Sequence, residues 1–195
     1  HDHAEDLVGL IRVLGLEEPA VIGHSMGGGS ASILADSYPE HVGRLILEDP
    51  AWFPAEVGGK VDEADTLRRR REFAERTAWR KSLSLEEVTA TTRRDNPLWS
   101  DDEFPAHSEA KHQVSENVFT FVRSSVKPWW EIVPALRCPT LVLTGDTERG
   151  AIISANMAEK IQALNPRIEV IRLAGAGHNV RREQFDDFVR HVRRF

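Results

Sequence analysis

Gly23-His24-Ser25-Met26-Gly27 stands between a short apolar run, Ala20-Val21-Ile22, and a helical segment carrying Ala31, Ile33, Leu34 and Ala35. A strand that turns sharply into a helix forces the middle residue of the turn into strained backbone geometry. Side chains two positions to either side would collide with the strand and the helix, which predicts the need for both Gly23 and Gly27. The arrangement holds the Ser25 hydroxyl above the sheet edge at the positive end of a helix. It also aims the Met26 amide at the place where an oxyanion would form. The plainer reading is a serine that caps a helix after a glycine-rich turn. A phosphate loop fails on detail, because it needs Gly-Lys followed by Ser or Thr and no lysine lies here.

A serine hydroxyl is a poor nucleophile until a base takes its proton. Gly175-Ala176-Gly177-His178 follows an apolar run and precedes a helical pattern, so His178 stands on a short loop from which it could reach Ser25. Its plainer reading is a surface histidine. The base needs an acid that fixes its tautomer and stabilises the imidazolium. Three acids follow strand ends: Asp146 and Glu148 after Thr140–Leu143, and Asp49 after Leu45–Leu47. Asp49 also has a bland use, taking the chain out of the sheet before Pro50. The other histidines are scattered, with His1 and His3 at a frayed end, so neither a metal nor a cofactor is expected.

The elements that must position these groups follow from periodicity. Leu7, Leu10, Ile11 and Leu14 share one face of a helix that Gly15 ends. The helix after Ser25 closes at Tyr38-Pro39. Ala20–Ile22, Leu45–Leu47, Thr140–Leu143 and Ile168–Leu173 read as strands. Ser154 caps a helix with Met157, Ile161 and Leu164, and Phe185, Phe188, Val189 and Val192 mark the last one. Strands alternating with helices imply an α/β fold, a mostly parallel sheet with helices on both faces. The stretch from Trp52 to Pro134 breaks the rhythm. It holds all five tryptophans and helical windows at Asp62–Arg80 and Leu85–Arg94. It reads as a helical insertion, giving a core of residues 1–51 and 135–195 and an inserted unit of 52–134. The arginine run Arg68–Arg71 reads as a solvated helix face paired with nearby acids.

Composition narrows the partners. The 195 residues carry 25 Lys and Arg against 31 Asp and Glu, a net charge of −6, which counts against a nucleic-acid partner. No stretch reaches the roughly 20 apolar residues of a membrane helix. The lone Cys138 excludes an internal disulfide and a multi-cysteine metal site, and reads as a small buried hydrophobe. The chain starts at His1 rather than Met, so a removed leader or a piece of a longer polypeptide is expected. A cytoplasmic location is the default expectation.

Gly23–Gly28, Pro139–Asp146 and Gly175–Asn179 together resemble, in order and spacing, the α/β-hydrolases of the single-domain, lidded type. The resemblance implies Ser25 as nucleophile, His178 as base, Met26 as one oxyanion donor and a lid at residues 52–134. For the acid it implies Glu148 where members carry Gly-x-x-Asp, or Asp146 where an Asp directly follows the glycine. Some relatives place it after the preceding strand, at Asp49. Asp146 is favoured, since a short side chain near the strand end is held firmly. The family has strands before the first helix seen here, and one of their loops supplies a second oxyanion donor. The chain is therefore expected to be N-terminally incomplete, with a separate segment or a second copy covering the nucleophile strand.

The reaction so implied is a serine hydrolase's, cleaving an ester, lactone, thioester, amide or diketone through an acyl-enzyme. Its substrate would be a small apolar acyl compound. His24, Trp52, Trp129 and Trp130 are expected to line the substrate site, with Phe53, Phe119 and Phe121 adding apolar surface. Two alternatives belong to other classes: a ligand-binding receptor or scaffold without turnover, and a cofactor-free perhydrolase or haloperoxidase.

Overall fold

The computed structural model describes residues 2–52, 63–119 and 127–195. They divide into two compact units, His1–Gly58 with Val126–Phe195, and Gly59–Ser125. The expected division at 52 and 134 differs from this one by several residues at each end. Trp52, Trp129 and Trp130 therefore fall in the larger unit.

The larger unit is built on four parallel strands in the order β1 (Ala20–His24), β2 (Arg44–Glu48), β3 (Thr140–Thr144) and β4 (Ile168–Arg172). Helices α1 (Asp2–Val13) and α2 (Met26–Ser37) flank β1 in sequence. The middle strands read as continuous apolar runs because both of their faces are covered. Leu45, Leu47 and Val142 join Val8 and Ile11 of α1 and Leu34 of α2 in one cluster. Ile46, Leu141 and Leu143 point the other way, into a cluster with Val180 and Phe188. Leu45, Leu47, Leu141 and Leu143 are wholly buried. Each contributes about 1.5–3 kcal/mol by leaving water, so the middle of the sheet is the stiff base of the fold. β1 is the end strand, and Ile22 at its centre is 54% exposed.

The register explains where chemistry can gather. His24 lies beside Glu48, and Glu48 beside Leu143. One residue further on, Ser25, Asp49 and Thr144 stand abreast at the C-terminal ends of three neighbouring strands.

The smaller unit contains α3 (Glu63–Ser82), α4 (Leu85–Asp95) and α5 (Glu103–Gln113). Ser84 and Glu87 cap α4 reciprocally, each accepting the other's main-chain N–H. Arg68 and Arg71 pair with Glu72 and Glu75 one turn on, on an exposed face, as expected of the arginine run. Among the described residues, no helix is long and apolar enough to cross a membrane.

The chain returns to the sheet through α6 (Trp129–Ile132) and, after β3, continues into α7 (Ala155–Leu164). Buried Asn165 ties that return down, its amide donating to Val133 O at 2.9 Å and Leu136 O at 3.0 Å. Each buried carbonyl left without a donor costs about 1–3 kcal/mol. Asn165→Ala should therefore lower unfolding stability by about 2 kcal/mol or more, read as a shifted midpoint in urea denaturation at unchanged slope. Burial raises the Cys138 thiol pKa, partly offset by its contact with Thr140, which fits the small-hydrophobe reading.

Candidate active site

Ser25 sits between β1 and α2 with φ 54° and ψ −119°. A non-glycine residue held there costs on the order of 1–3 kcal/mol, which the surroundings must overcome. Three main-chain bonds do so. Ser25 N–H donates to Glu48 O at 3.0 Å, and Ser25 O accepts from Gly29 N at 3.0 Å and Ala51 N at 2.9 Å. The serine turn is thus tied to the turn that leaves β2. Glycine is required at Gly23, as expected, and at Gly28 rather than at Gly27. A Cβ on Gly23 would lie 2.5 Å from Gly27 O, and one on Gly28 would lie 3.0 Å from Gly23 O and from Pro50 Cβ. A Cβ on Gly27 would meet nothing within 4 Å. The tight partner of Gly23 is Gly28, because it is Gly28 that faces the strand across the first helical turn.

His178 lies on the loop between β4 and α8 (Val180–Glu183), which leads into α9 (Phe185–Arg194). Its Nε2 is 2.9 Å from Ser25 Oγ, and its Nδ1 is 2.6 Å from Asp49 Oδ2. A carboxylate only accepts, so a histidine paired with one carries its proton on Nδ1 and leaves Nε2 free to accept from the serine.

Asp49 is fully buried, and donors fix both of its oxygens. Thr144 Oγ1 donates to Oδ1 at 2.8 Å, Ile153 N–H to Oδ1 at 3.2 Å, and Ile152 N–H to Oδ2 at 2.9 Å. Its own backbone has φ 39°, so strain collects at Asp49 as well as at Ser25.

The expectation that Asp146 contacts the base is corrected. Asp146 Oδ2 accepts from Gly175 N–H at 2.7 Å, and Oδ1 pairs with Arg172 at 3.3 Å. It braces the base loop rather than touching the imidazole. Glu148 is exposed, on the short turn Thr147–Arg149. The loop expected to provide the acid instead provides two amides that hold it.

Trp52 and Trp129 are also relocated. They are 4% and 7% exposed and belong to the core cluster. Trp52 stacks on Trp129 and donates its indole N–H to Ser32 Oγ, while Trp130 packs edge-on against Trp129. Aromatic side chains near strand ends filled the core here because the return from the inserted unit needed burying. Phe53 and Phe121 lie outside the described residues, as does the side chain of Phe119. Met26 is the first residue of α2, so its N–H has no carbonyl within the helix to meet.

His24 does not present its Nε2 to a substrate. That atom lies 2.9 Å from His178 O, and the two imidazole rings are 4.7 Å apart. Burial lowers the His24 pKa from its ordinary value, against opposing pulls from Glu48 and from the hydrogen bond to His178. Glu48, 1% exposed, accepts from Arg181 N–H at 2.9 Å and from the Arg181 guanidinium at 3.0 Å. Sequence reasoning missed Thr144, Glu48 and Arg181. Only the register, unknown without the fold, brings them to this end of the sheet.

Known proteins are similar to this chain over nearly its whole length. A Haemophilus influenzae protein named for esterase or lipase activity is 28% identical, over 98% of this chain and 65% of its own length. The N-formylmaleamate deformylase of Pseudomonas putida is 26% identical, over 95% and 66%. The chain thus spans just under two thirds of these relatives. The crystal structure of Est816, an N-acyl homoserine lactone degrading enzyme, superposes with a TM-score of 0.69 at 21% identity, covering 100% of this chain and 73% of that one. The parallel sheet, the serine turn between β1 and α2 and the histidine loop before α8 all lie within residues 1–181, which the alpha/beta hydrolase fold model matches, and the chain belongs to that family.

Proposed function

We propose that this chain carries the nucleophile, base and acid of a serine hydrolase that cleaves an ester or amide bond through an acyl-enzyme. The observation that supports it most is the continuous line from Ser25 Oγ through the His178 ring to buried Asp49, which three further donors hold. Its relatives' names add support, one being an esterase or lipase and the other acting on an N-formyl amide.

In the first half-reaction His178 Nε2 takes the Ser25 proton as Oγ bonds to the substrate carbonyl carbon, and the carbonyl electron pair moves to oxygen. The Met26 N–H, at the positive end of α2, stabilises that oxyanion. The pair returns as the bond to the leaving group breaks, and His178 gives its proton to the leaving group. Water then repeats the sequence: His178 takes its proton, its oxygen attacks the acyl carbon, and Ser25 recovers the proton as it leaves. Asp49 stays ionised throughout and stabilises the imidazolium.

The outer edge of β1 is part of this reading. Ile22, Leu10 and Met26 are more than half exposed beside it. They line an open apolar groove of about 410 Å³ between α1 and α2. A free strand edge is a pairing template. The active protein is proposed to cover this one with a further strand segment, or with a second copy, and the covering element is proposed to supply the second oxyanion donor.

The test is a fluorophosphonate probe, which needs no knowledge of the substrate. The expected result is a single adduct, mapped to Ser25 by peptide mass spectrometry and lost in Ser25→Ala. A folded protein that leaves Ser25 unlabelled while reacting elsewhere, or not at all, would overturn the assignment and favour a non-catalytic binding role.

A further inference from the structure

His24 has no part in the proton transfers above, yet it touches the base at both ends of one residue. We infer that His24 is a positioning residue for His178: its Nε2–H holds the main-chain carbonyl of His178, and its ring backs the imidazole that faces Ser25. This rests on the reading of Ser25 and His178 as nucleophile and base.

The need for such a device follows from where the base stands. His178 lies on a loop between β4 and α8, three strands away from Ser25 on β1. Neighbouring strands are about 4.8 Å apart, so the loop must lean roughly 14 Å across the sheet. Asp49 fixes the far end of the side chain through Nδ1. Asp146 braces the same loop at Gly175 and Ala176, which leaves the carbonyl of residue 178 still to be placed. His24 holds it, with Nε2 2.9 Å from His178 O. Glu48, its partner in register on β2, fixes the chain again at Arg181 through both the main-chain N–H and the guanidinium. The loop is thus held at residues 178 and 181 by adjacent positions on adjacent strands.

Charge supports the same role. His178 becomes an imidazolium in each half-reaction, and a second positive ring 4.7 Å away would oppose it. The charged and titratable groups around His24 are Glu48, His178 and Arg181. Burial is the largest influence on His24 and keeps its ring neutral, in agreement with the lowered pKa. A neutral imidazole can still donate from Nε2, which the tether requires. Nε2 is engaged by His178 O and is not offered to a substrate.

The experiment follows fluorophosphonate labelling of the whole chain against probe concentration, which separates the limiting rate from the half-saturating concentration. A misplacement of about 1 Å in a reacting group can cost on the order of 10²-fold. His24→Leu, which keeps bulk and removes the donor, should lower the limiting rate about 10- to 100-fold and leave half-saturation within about twofold. His24→Gln, whose amide nitrogen reaches the place of Nε2, should recover most of the rate. His24→Asn, whose shorter amide falls short of the carbonyl, should resemble His24→Leu.

The inference is overturned if His24→Leu raises the half-saturating concentration and keeps the limiting rate, or if Gln and Asn are equally slow. It is also overturned if His24→Leu reacts at the unmodified rate. Should His24→Leu fail to fold, the Gln and Asn variants carry the comparison. An unlabelled wild-type Ser25 would instead remove the proposed function itself, so the two failures are separable.

Discussion

Asp49→Asn should slow acylation of Ser25 about 10⁴-fold, the scale seen when a triad acid becomes an amide, while Asp146→Asn should leave it within about tenfold. The difference comes from the donors around Asp49. Thr144 Oγ1, Ile152 N–H and Ile153 N–H all point at its carboxylate. An asparagine there must turn its oxygen to those donors and its NH₂ to His178 Nδ1. An NH₂ group donates, so Nδ1 has to accept, and the ring proton moves to Nε2. That nitrogen then cannot take the serine's proton. The variant keeps its shape and loses the tautomer.

At position 146 the arithmetic is different. An asparagine oxygen can still accept from Gly175 N–H, now 2.7 Å from Asp146 Oδ2. The pair with Arg172 that would weaken is largely solvated, with the arginine 63% exposed, and such pairs contribute little. Stopped-flow labelling with a fluorogenic ester or fluorophosphonate reads both variants. A deeper loss at 146 than at 49 would reverse the assignment of the acid.

Ser25 and His178 were legible in the sequence, and Asp49 as the partner of the imidazole was not. Ser25 is marked locally: a strand, a tight turn and a helix follow one another within a few residues, and the glycines are a direct trace of that crowding. His178 is marked by its loop between a strand and a helix. The acid has no local mark, because Asp49, Asp146 and Glu148 all follow strands. What decides among them is lateral order. β2 lies between β1 and β3, so its end falls on the path that His178 takes towards Ser25.

The loop after β3 packs closely against the loop that carries His178. A Cβ on Gly145 would lie 2.4 Å from Ala176 O and 2.5 Å from Gly177 O, and Asp146 N–H donates to Ala176 O at 2.7 Å. Asp146 runs against the backbone of that loop, and its carboxylate is engaged by Gly175 N–H and Arg172. The strands themselves were plain in the sequence because both faces of β2 and β3 are covered, leaving uninterrupted apolar runs. The tryptophans are a related case. Aromatic residues near strand ends serve a pocket or a core equally well, and only the packing of Trp52 on Trp129 separates the two.

Gly23→Ala should cost at least the upper end of the roughly 1–3 kcal/mol of an overpacked core, and Gly27→Ala should cost less than about 1 kcal/mol. The added methyl at 23 would lie 2.5 Å from Gly27 O, 2.7 Å from Gly27 C and 2.8 Å from Gly28 N. All three are main-chain atoms of the first turn of α2, so no side chain can swing aside. Neither partner is free to retreat. β1 is locked to β2 with Gly23 opposite Leu47, and α2 is held by the bonds that Ser25 makes to Glu48, Gly29 and Ala51. Relief must come from moving Ser25, which breaks its 2.9 Å contact with His178. The methyl at 27 would project where nothing lies within 4 Å, and alanine suits a helix better than glycine does. For a chain of this size 1 kcal/mol moves the melting temperature by about 2–4 °C. Gly23→Ala should accordingly melt about 10 °C lower or fail to accumulate as folded protein, and any folded fraction should lose serine labelling about 10²-fold or more. Gly27→Ala should melt within a few degrees of the parent and stay labelled. Equal damage at both positions would mean that the turn is crowded on its open side as well, and that the strand–helix contact at Gly23 and Gly28 is not what shapes it.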